Sequence, residues 1–404
     1  MTRSLPALLS ALLLGACAGA ADGDTEPAAR AGATGDAAVA TEAAMQAATG
    51  RADQPADGHP FRVEPVAQLD EPWAMAFLPD GRLLVTEKRG RLRLVDPASG
   101  GVVTVEGVPD VDYGGQGGFG DVALHPRFAD NATVYLSYAE AGEGDTRGAA
   151  VARAGLVLDG DGGRLSDLEV IYRQVPKTTG RGHYAHRLLF GPDGHLWISN
   201  GERQHFDPAQ DMGANLGKIV RLNDDGSVPA DNPFAEQGGV AAQVWSLGHR
   251  NPLGIAFDDN GQLWNVEMGP AGGDELNRVV RGGNYGYPVV SNGDHYDGTV
   301  IPDHGSAADT GFIAPAISWT PVISPSSLLF YSGTDFPDWQ GDALIGGLSS
   351  RALVRVEFDG DGAREAARYD MGQRIRGVAQ APDGRLYLIE DGQGGRLLRL
   401  LPPG

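Results

Sequence analysis

Cysteine is almost absent, with Cys17 the only one in 404 residues. No disulfide therefore supports the fold. Positive charge is scarce as well: 32 Lys and Arg stand against 53 Asp and Glu, a formal charge of -21, and a surface of that sign repels phosphate backbones and anionic lipid. Nucleic acid is not an expected partner. No apolar run reaches the roughly 20 residues that a membrane helix needs, and no segment shows a long helical period. What is there instead is a 41% hydrophobic chain with 60 glycines and 26 prolines, enough to bury a core and rich in turn formers.

The start of the chain, MTRSLPALLSALLLGAC, carries Arg3, an apolar run from Leu5 to Ala16 and then Cys17. It reads as a signal peptide over residues 1–17. Leu14-Gly15-Ala16-Cys17 resembles the bacterial lipobox, in which the cysteine becomes the lipidated first residue, while ordinary cleavage after Ala18 or Ala20 is the alternative. Both imply export. The lipobox reading implies a periplasmic protein held at a membrane only through a lipid on Cys17, and Ala18 after that cysteine favours the outer membrane. Residues 18–58 are mostly Ala, Gly, Asp, Thr and Glu, too poor in large apolar groups to offset their ordering entropy. They read as a flexible tether.

Residues 59–404 read as one domain. FLPDGRLLVTEKRGRLRLVD, FGPDGHLWISNGE, FDDNGQLWNVEMGP and APDGRLYLIEDGQGGRLLRL share a strand end, a Pro-Asp-Gly or Asp-Asn-Gly turn and a second strand. LHPRFADNATVYLSYAE and DFPDWQGDALIGGLSSRALVRVEFDG fit as variants with longer turns, giving about six copies. Repeated hairpins without helices predict an all-β fold, a six-bladed β-propeller, over a two-sheet sandwich. The insertions 203–243 and 268–325 are expected to form loops on one face, where a site would lie.

Four loop clusters carry candidate chemistry. In DYGGQGGFGDVALHP, the glycines around Gln116 allow a close backbone approach or a tight turn. In TTGRGHYAHRLLFGPDG, His183 is a candidate general base because imidazole titrates near neutral pH, and a solvated or structural histidine is the competing reading. The third comprises SLGHRNPLGIAF, which presents His249, Arg250 and Asn251 on a turn, and EMGPAGGDELNRVVRGGNYGYP. There Gly269 and Pro270 can turn two carbonyls the same way while Asp274 and Glu275 add carboxylate oxygen, a donor set suited to calcium or equally to a solvated acidic loop. In GQRIRGVAQAPDG, Arg374 and Arg376 emerge on one face of a strand and repel unless an anion joins them, either a multiply charged carboxylate ligand or a neighbouring Asp or Glu.

Taken in order, GQGGFGDVALHPRF, GHYAHRLLFGPDG, LGHRNPLG, GPAGGDELN with GGNYGYP, and QRIRGVAQAPDG resemble the motifs of the soluble quinoprotein glucose and aldose sugar dehydrogenases. The resemblance runs from about Phe61 to Leu400. It implies a six-bladed propeller that uses pyrroloquinoline quinone (PQQ) and calcium to oxidise the anomeric carbon of an aldose to a lactone, with electrons passed to an external acceptor, a quinone or cytochrome. By the same resemblance His183 is the base that takes the C1 hydroxyl proton as hydride moves to the quinone, and Arg250 bonds the reacting quinone oxygen. Gln116, Asn251, Arg374 and Arg376 are further cofactor contacts. Gly269 and Pro270 supply carbonyls to the active-site calcium, and Glu275 with the backbone of Tyr285 forms part of a second calcium site. Three departures stand out: Ser349 where the family has a cofactor-binding lysine, Ala185-His186 after the base, which predicts a bulky polar group near the substrate, and Met268 before Gly269. A calcium-dependent lactone or ester hydrolase, which would have no use for the arginine pair, and a sugar-binding propeller without quinone are the alternative functions.

Overall fold

Among the described residues of the computed structural model, which are 58–160, 162–360 and 362–403, the strands form six four-stranded antiparallel blades, the first two joined into one eight-stranded sheet by a short parallel pairing of Val105 and Glu106 with Gly163 and Arg164. The predicted leader, Cys17 and all but the last residue of the predicted tether lie outside the described residues. The first strand is β1 (Arg62–Gln68). Blade 1 follows with β2 (Pro72–Phe77), β3 (Leu83–Glu87), β4 (Arg91–Asp96) and β5 (Gly101–Glu106), and blade 2 with β6 (Phe119–Leu124), β7 (Thr133–Ala141), β8 (Arg147–Asp159) and β9 (Gly162–Arg173). Blade 3 comprises β10 (Ala185–Phe190), β11 (Leu196–Asn200), β12 (Lys218–Leu222) and β13 (Val244–Leu247), and blade 4 comprises β14 (Pro252–Phe257), β15 (Leu263–Glu267), β16 (Asp274–Arg278) and β17 (Ile317–Trp319). Blade 5 holds β18 (Pro325–Phe330), β19 (Ala343–Gly347), β20 (Ala352–Asp359) and β21 (Gly362–Asp370). Blade 6 has only β22 (Ile375–Gln380), β23 (Leu386–Glu390) and β24 (Arg396–Leu401) from its own stretch of chain. β1 completes it, pairing antiparallel with β24 from Arg62 opposite Leu401 to Gln68 opposite Arg396, so the two ends of the domain close the ring.

One turn, used four times, makes the hairpins between first and second strands. In blade 1 the Leu78 amide donates to the Arg82 carbonyl and the Gly81 amide to the Leu78 carbonyl; the same two bonds recur at Gly191–His195, Asp258–Gln262 and Ala381–Arg385. The glycine of each turn sits at φ between 78° and 90°, where a side chain would be strained. Blades 2 and 5 replace this turn with longer connections, a helical turn at Phe128–Asn131 and a 3-10 turn at Pro337–Trp339. The six hairpins read from sequence are thus one per blade.

The core lies in layers between blades rather than at a single centre. Separate apolar clusters pack blade 1 on blade 2, 2 on 3, 3 on 4, 4 on 5, 5 on 6 and 6 on 1. Second strands are therefore covered on both faces: every residue of β3, β11, β15, β19 and β23 is buried. This is why they read as near-continuous apolar runs rather than clean alternation.

At the ring centre a single side chain joins all six blades. Arg187 of β10 donates through Nε to the Leu253 carbonyl (2.6 Å) and through Nη2 to the carbonyls of Ser326 and Arg376. Its guanidinium also lies 4.2 Å from the centre of the Trp73 ring, and 3.7 Å separates Nη1 from Asp121. Burial pulls its pKa down to about 10, against the opposing charge of Asp121. Each first strand also carries a register irregularity near its start, at Trp73, between Phe119 and Val122, at His186-Arg187, Leu253, Ser326 and Arg376. Such bulges turn backbone and side chain toward the channel, so six blades can be gripped at one level.

First strands begin, and second strands end, at one edge of the ring, here called the upper edge: Pro72 faces Glu87, Ala185 faces Asn200, Pro252 faces Glu267, Pro325 faces Gly347 and Ile375 faces Glu390. The insertions do not all share it. Residues 203–217 follow β11 at the upper edge, but β12 then crosses to the lower edge, and 223–243 lies there, closing back to β13. The expectation of one loop face holds for the first part of that insertion and fails for the second, because a short strand is interposed.

Candidate active site

His183 ends the loop that precedes β10 and is only 5% exposed, in the left-handed region at φ 43°. Its amide donates to Gln116 Oε1 (2.7 Å), and its Nδ1 lies 2.5 Å from Glu202 Oε1. Glu202 follows β11, is fully buried, and accepts the Phe206 amide at its other oxygen (3.1 Å). Burial alone would raise its pKa, but the His183 and Arg250 charges hold it below the usual range. A carboxylate fixed on Nδ1 selects the tautomer in which Nε2 is the basic nitrogen. The competing reading of His183 as solvated does not survive this burial.

The glycines beside Gln116 serve that loop. A Cβ at Gly115 would meet Arg181 at 2.8 Å, and one at Gly117 would meet the Tyr184 ring at 2.7 Å. The Gln116 amide donates to the Arg181 carbonyl (2.8 Å), so the Gly-rich turn is bound against the His183 loop. The close backbone approach is thus to this loop of the protein itself.

The His249-Arg250-Asn251 turn precedes β14. Glu267, at the end of β15, grips it twice, through His249 Nδ1 (3.0 Å) and the Arg250 amide (2.6 Å). Arg250 sends Nη1 to the carbonyls of Met268 (3.0 Å) and Gly269 (2.7 Å), and Nη2 approaches the Tyr296 hydroxyl at 3.5 Å. Its Nε is buried with no hydrogen-bond partner among the described residues. Burial works against its charge, but Tyr296, Tyr287 and Glu202 outweigh burial and hold it cationic. Asn251 Oδ1 accepts the Ala185 amide (3.1 Å), tying this turn to the start of β10 beside His183.

Arg374 and Arg376 flank Ile375, which is buried in the core between blades 5 and 6. Both guanidinium groups emerge on the other side, as the strand spacing predicts, and one carboxylate joins them: Asp391 accepts from each Nε at 2.8 Å. Burial opposes the charge of Asp391, yet the two arginines hold its pKa far below the ordinary value. Of the two readings of this pair, a protein carboxylate is therefore present, and it answers two positive charges with one negative. The pair stands at the same upper edge as Arg250, because Ile375 faces Glu390 at the start of β22 just as Pro252 faces Glu267 at the start of β14.

Gly269 and Pro270 follow β15 at the same edge. Among the described residues the Gly269 carbonyl accepts from Arg250 and the Pro270 carbonyl from the Gly272 amide (3.0 Å). Asp274 bonds three main-chain amides, those of Gly269, Ile323 and Ser324, while burial lifts its pKa to about 6. Glu275 and Tyr285 lie one layer behind, against the turn. Glu275 pairs in register with Glu267, and its pKa is driven well up by burial and by the charge of Glu267. Tyr285 stacks on His249 at 4.6 Å and donates its hydroxyl to the Arg278 carbonyl (2.5 Å). Beside them the Oδ1 atoms of Asn265 and Asn277 are buried without partners among the described residues. No cluster of three or more His, Cys, Asp or Glu side chains has metal-holding geometry among the described residues.

The departures resolve in part. His186 does not project toward a substrate: it is 2% exposed, stacked on Tyr184 at 4.9 Å with the Trp73 ring edge-on, because the bulge at the start of β10 turns it inward. Met268 packs on Trp73, Ala74 and Leu253. Ser349 accepts a hydrogen bond from Ser324 (2.7 Å). Sequence reading missed Glu202, Glu267, Asp391, Tyr296 and Arg203. The three acids had a usable signal, since each falls at or just beyond the end of a second strand, beside the loop that precedes the first strand.

Comparison with known proteins places the chain in a family. Residues 69–399 match the family model described as glucose/sorbosone dehydrogenase. The aldose sugar dehydrogenase YliI of Escherichia coli is 40% identical over 339 residues, 83% of this chain and 91% of that protein. The crystal structure of the soluble E. coli aldose sugar dehydrogenase in its apo form superposes with a TM-score of 0.80 at 40% identity, covering 85% of this chain and all of that one. The PQQ-bound aldose sugar dehydrogenase of Streptomyces coelicolor gives a TM-score of 0.70 at 28% identity, with 86% and 99% covered. A six-bladed ring with a buried His–Glu pair and converging arginines at one mouth, matched over nearly its whole length, belongs to the glucose/sorbosone dehydrogenase family of oxidoreductases.

Proposed function

We propose that the protein is a PQQ- and calcium-dependent dehydrogenase that oxidises the anomeric carbon of aldoses to lactones. The observation that carries this reading is the convergence at one mouth of His183 on Glu202, of Arg250 with its unpartnered buried Nε, and of two arginines sharing one carboxylate. The donor set fits a planar polycarboxylate quinone, because the arginine pair keeps a net positive charge after Asp391 is counted and a guanidinium forks readily onto a carboxylate. Gln116 and Asn251 are further cofactor contacts in this reading.

His183 Nε2 takes the proton of the C1 hydroxyl, and Glu202 stabilises the imidazolium that forms. C1 gives up its hydrogen as hydride, and its C–O bond becomes the lactone carbonyl. Arg250, a buried fixed cation at this mouth, would stabilise negative charge developing on the acceptor, an effect largest in the transition state. Bound at this mouth, PQQ supplies the two-electron acceptor for that hydride. Calcium is assigned to the Gly269 and Pro270 carbonyls, each of which accepts a single hydrogen bond among the described residues and offers a second lone pair. Behind the turn, two adjacent buried carboxyls and two unpartnered amide oxygens support the second calcium at Glu275 and the Tyr285 backbone. Electrons leave to an external acceptor, a quinone or cytochrome. We further propose export to the periplasm and outer-membrane anchoring through Cys17, on the lipobox alone.

Reconstitution of the apo-protein with PQQ and calcium, followed by a glucose assay with an artificial acceptor, tests the reading. Activity only with the quinone is expected; lactone hydrolysis without it would instead indicate the hydrolase. His183→Ala should lower kcat by about 1,000-fold and leave quinone binding largely intact, whereas Arg376→Ala should weaken quinone binding by roughly tenfold or more.

A further inference from the structure

The residue after Glu202 has no part in the chemistry above, yet it is the largest of the fully buried side chains: Arg203 is 1% exposed. A buried guanidinium is ordinarily matched by a carboxylate, and among the described residues Arg203 has none within ion-pair distance. It bonds main-chain oxygen instead. Nε donates to the Gly182 carbonyl (2.8 Å), Nη2 to the Gly180 carbonyl (2.7 Å), and Nη1 to the Arg147 carbonyl (3.0 Å) and Thr178 Oγ1 (3.4 Å). The plane of the group sits 3.7 Å from the centre of the Tyr184 ring, and its own amide donates to the His183 carbonyl (3.3 Å).

Every one of these partners except Arg147 belongs to the segment Thr178–Tyr184 that carries His183. That segment reads TTGRGHY over 178–184, with Gly180 in the left-handed region at φ 82°, and it contains no regular strand. Such a stretch loses much backbone entropy on ordering; the Gln116 turn and the Arg181–Asp112 ion pair hold it from one side, and Arg203 holds it from the other. Arg203 and Glu202 reach it from the same turn after β11, one through the main chain and the other through the imidazole.

We propose that Arg203 is a positioning residue: it clamps the Thr178–Tyr184 arch so that the His183 imidazole stays aligned on Glu202, and it sets the rate of proton removal rather than the affinity for sugar or cofactor. The proposal rests on His183 as the base. Arg203 touches neither substrate nor cofactor, since the arch it holds covers it.

The test compares Arg203→Ala, Arg203→Lys and His183→Ala with the parent protein. For Arg203→Ala, kcat should fall about 100-fold, the cost of slight misplacement of a reacting group, while KM for glucose and the PQQ affinity from fluorescence titration change by less than about threefold. Added guanidinium ion should restore part of kcat. In the cofactor-free protein, hydrogen exchange at amides 179–184 should speed up by at least about tenfold, with β14 and β22 unchanged, because the loss is local. Arg203→Lys, whose single ammonium cannot span the Gly180, Gly182 and Arg147 carbonyls together, should fall between the two and keeps the test alive if the alanine variant does not fold. The proposal is overturned if exchange at 179–184 is unchanged, or if PQQ affinity and kcat fall together. Failure of the underlying reading shows separately, as turnover by His183→Ala at the parent rate, and the exchange measurement still decides whether the clamp exists.

Discussion

Blades 1 and 4 place a glutamate at the same point, the last residue of the second strand opposite the first residue of the first: Glu87 faces Pro72, and Glu267 faces Pro252. Both are buried and both accept a backbone amide from the preceding corner. Glu87 takes Asp70 N–H (2.8 Å) and then the half-exposed side chains of Arg91 and Arg93. Glu267 takes Arg250 N–H (2.6 Å) and then the wholly buried His249. One corner ends in a solvent-facing ion cluster and the other in a packed turn that aims a guanidinium into the mouth. A conserved geometry of the blade thus says where an acid can sit, while its function follows from what lies on its far side.

The largest effect expected is at the blade 4 corner. Glu267→Gln keeps the shape and one acceptor for the Arg250 amide but removes the carboxylate charge behind the turn, and should weaken PQQ binding by about 30-fold or more, the low end of the cost of losing a buried hydrogen-bonded charge. Titration of the apo-protein with PQQ measures it; an unchanged affinity would break the contrast between corners. Next is Asp391 at the blade 6 mouth. Its folded-state pKa is depressed by Arg376 and Arg374, so it stabilises the fold above the ordinary aspartate range, and that contribution is lost as pH falls through its folded value. Asp391→Asn should lower stability at neutral pH by more than at pH 3, read from urea midpoints.

A smaller, differently signed probe is His186. Burial lowers its pKa from 6.5 to about 3, so the unfolded chain takes up the proton first as pH falls. Stability should therefore drop between pH 6.5 and 3, and His186→Phe, which keeps the stack on Tyr184, should flatten that limb without touching turnover at neutral pH. The smallest effect belongs to blade 1. Glu87→Gln should cost about 1 kcal/mol of stability, since its arginines are partly solvated, and leave kcat and PQQ affinity unchanged.

What could be read from the chain, and what could not, follows the range of the forces involved. The three Pro-Asp-Gly turns and the Asp-Asn-Gly turn are local chemistry, and all four form, one to a blade. The spacing of Arg374 and Arg376 is local too, and their common face followed from it. Asp391 stands within a hairpin motif, but its role exists only once β22 and β23 pair. Arg187 and Arg203 escaped for a stronger reason: in sequence a buried arginine looks like any surface one, and only the ring shows which main-chain oxygens surround it. His186 reads as a group beside the substrate by the same limit, since a bulge that reverses a side chain leaves no mark on residue type. The insertion 203–243 reads as a single loop because β12 is only five residues, Lys218–Leu222, too short to stand out.

The closure of the ring by β1 has a geometric corollary. Arg62 pairs with Leu401 at the end of β24 remote from the mouth, on the outermost strand of its blade. The chain thus joins the ring at its perimeter and on the edge away from the opening, so the closure itself puts no strand across the mouth.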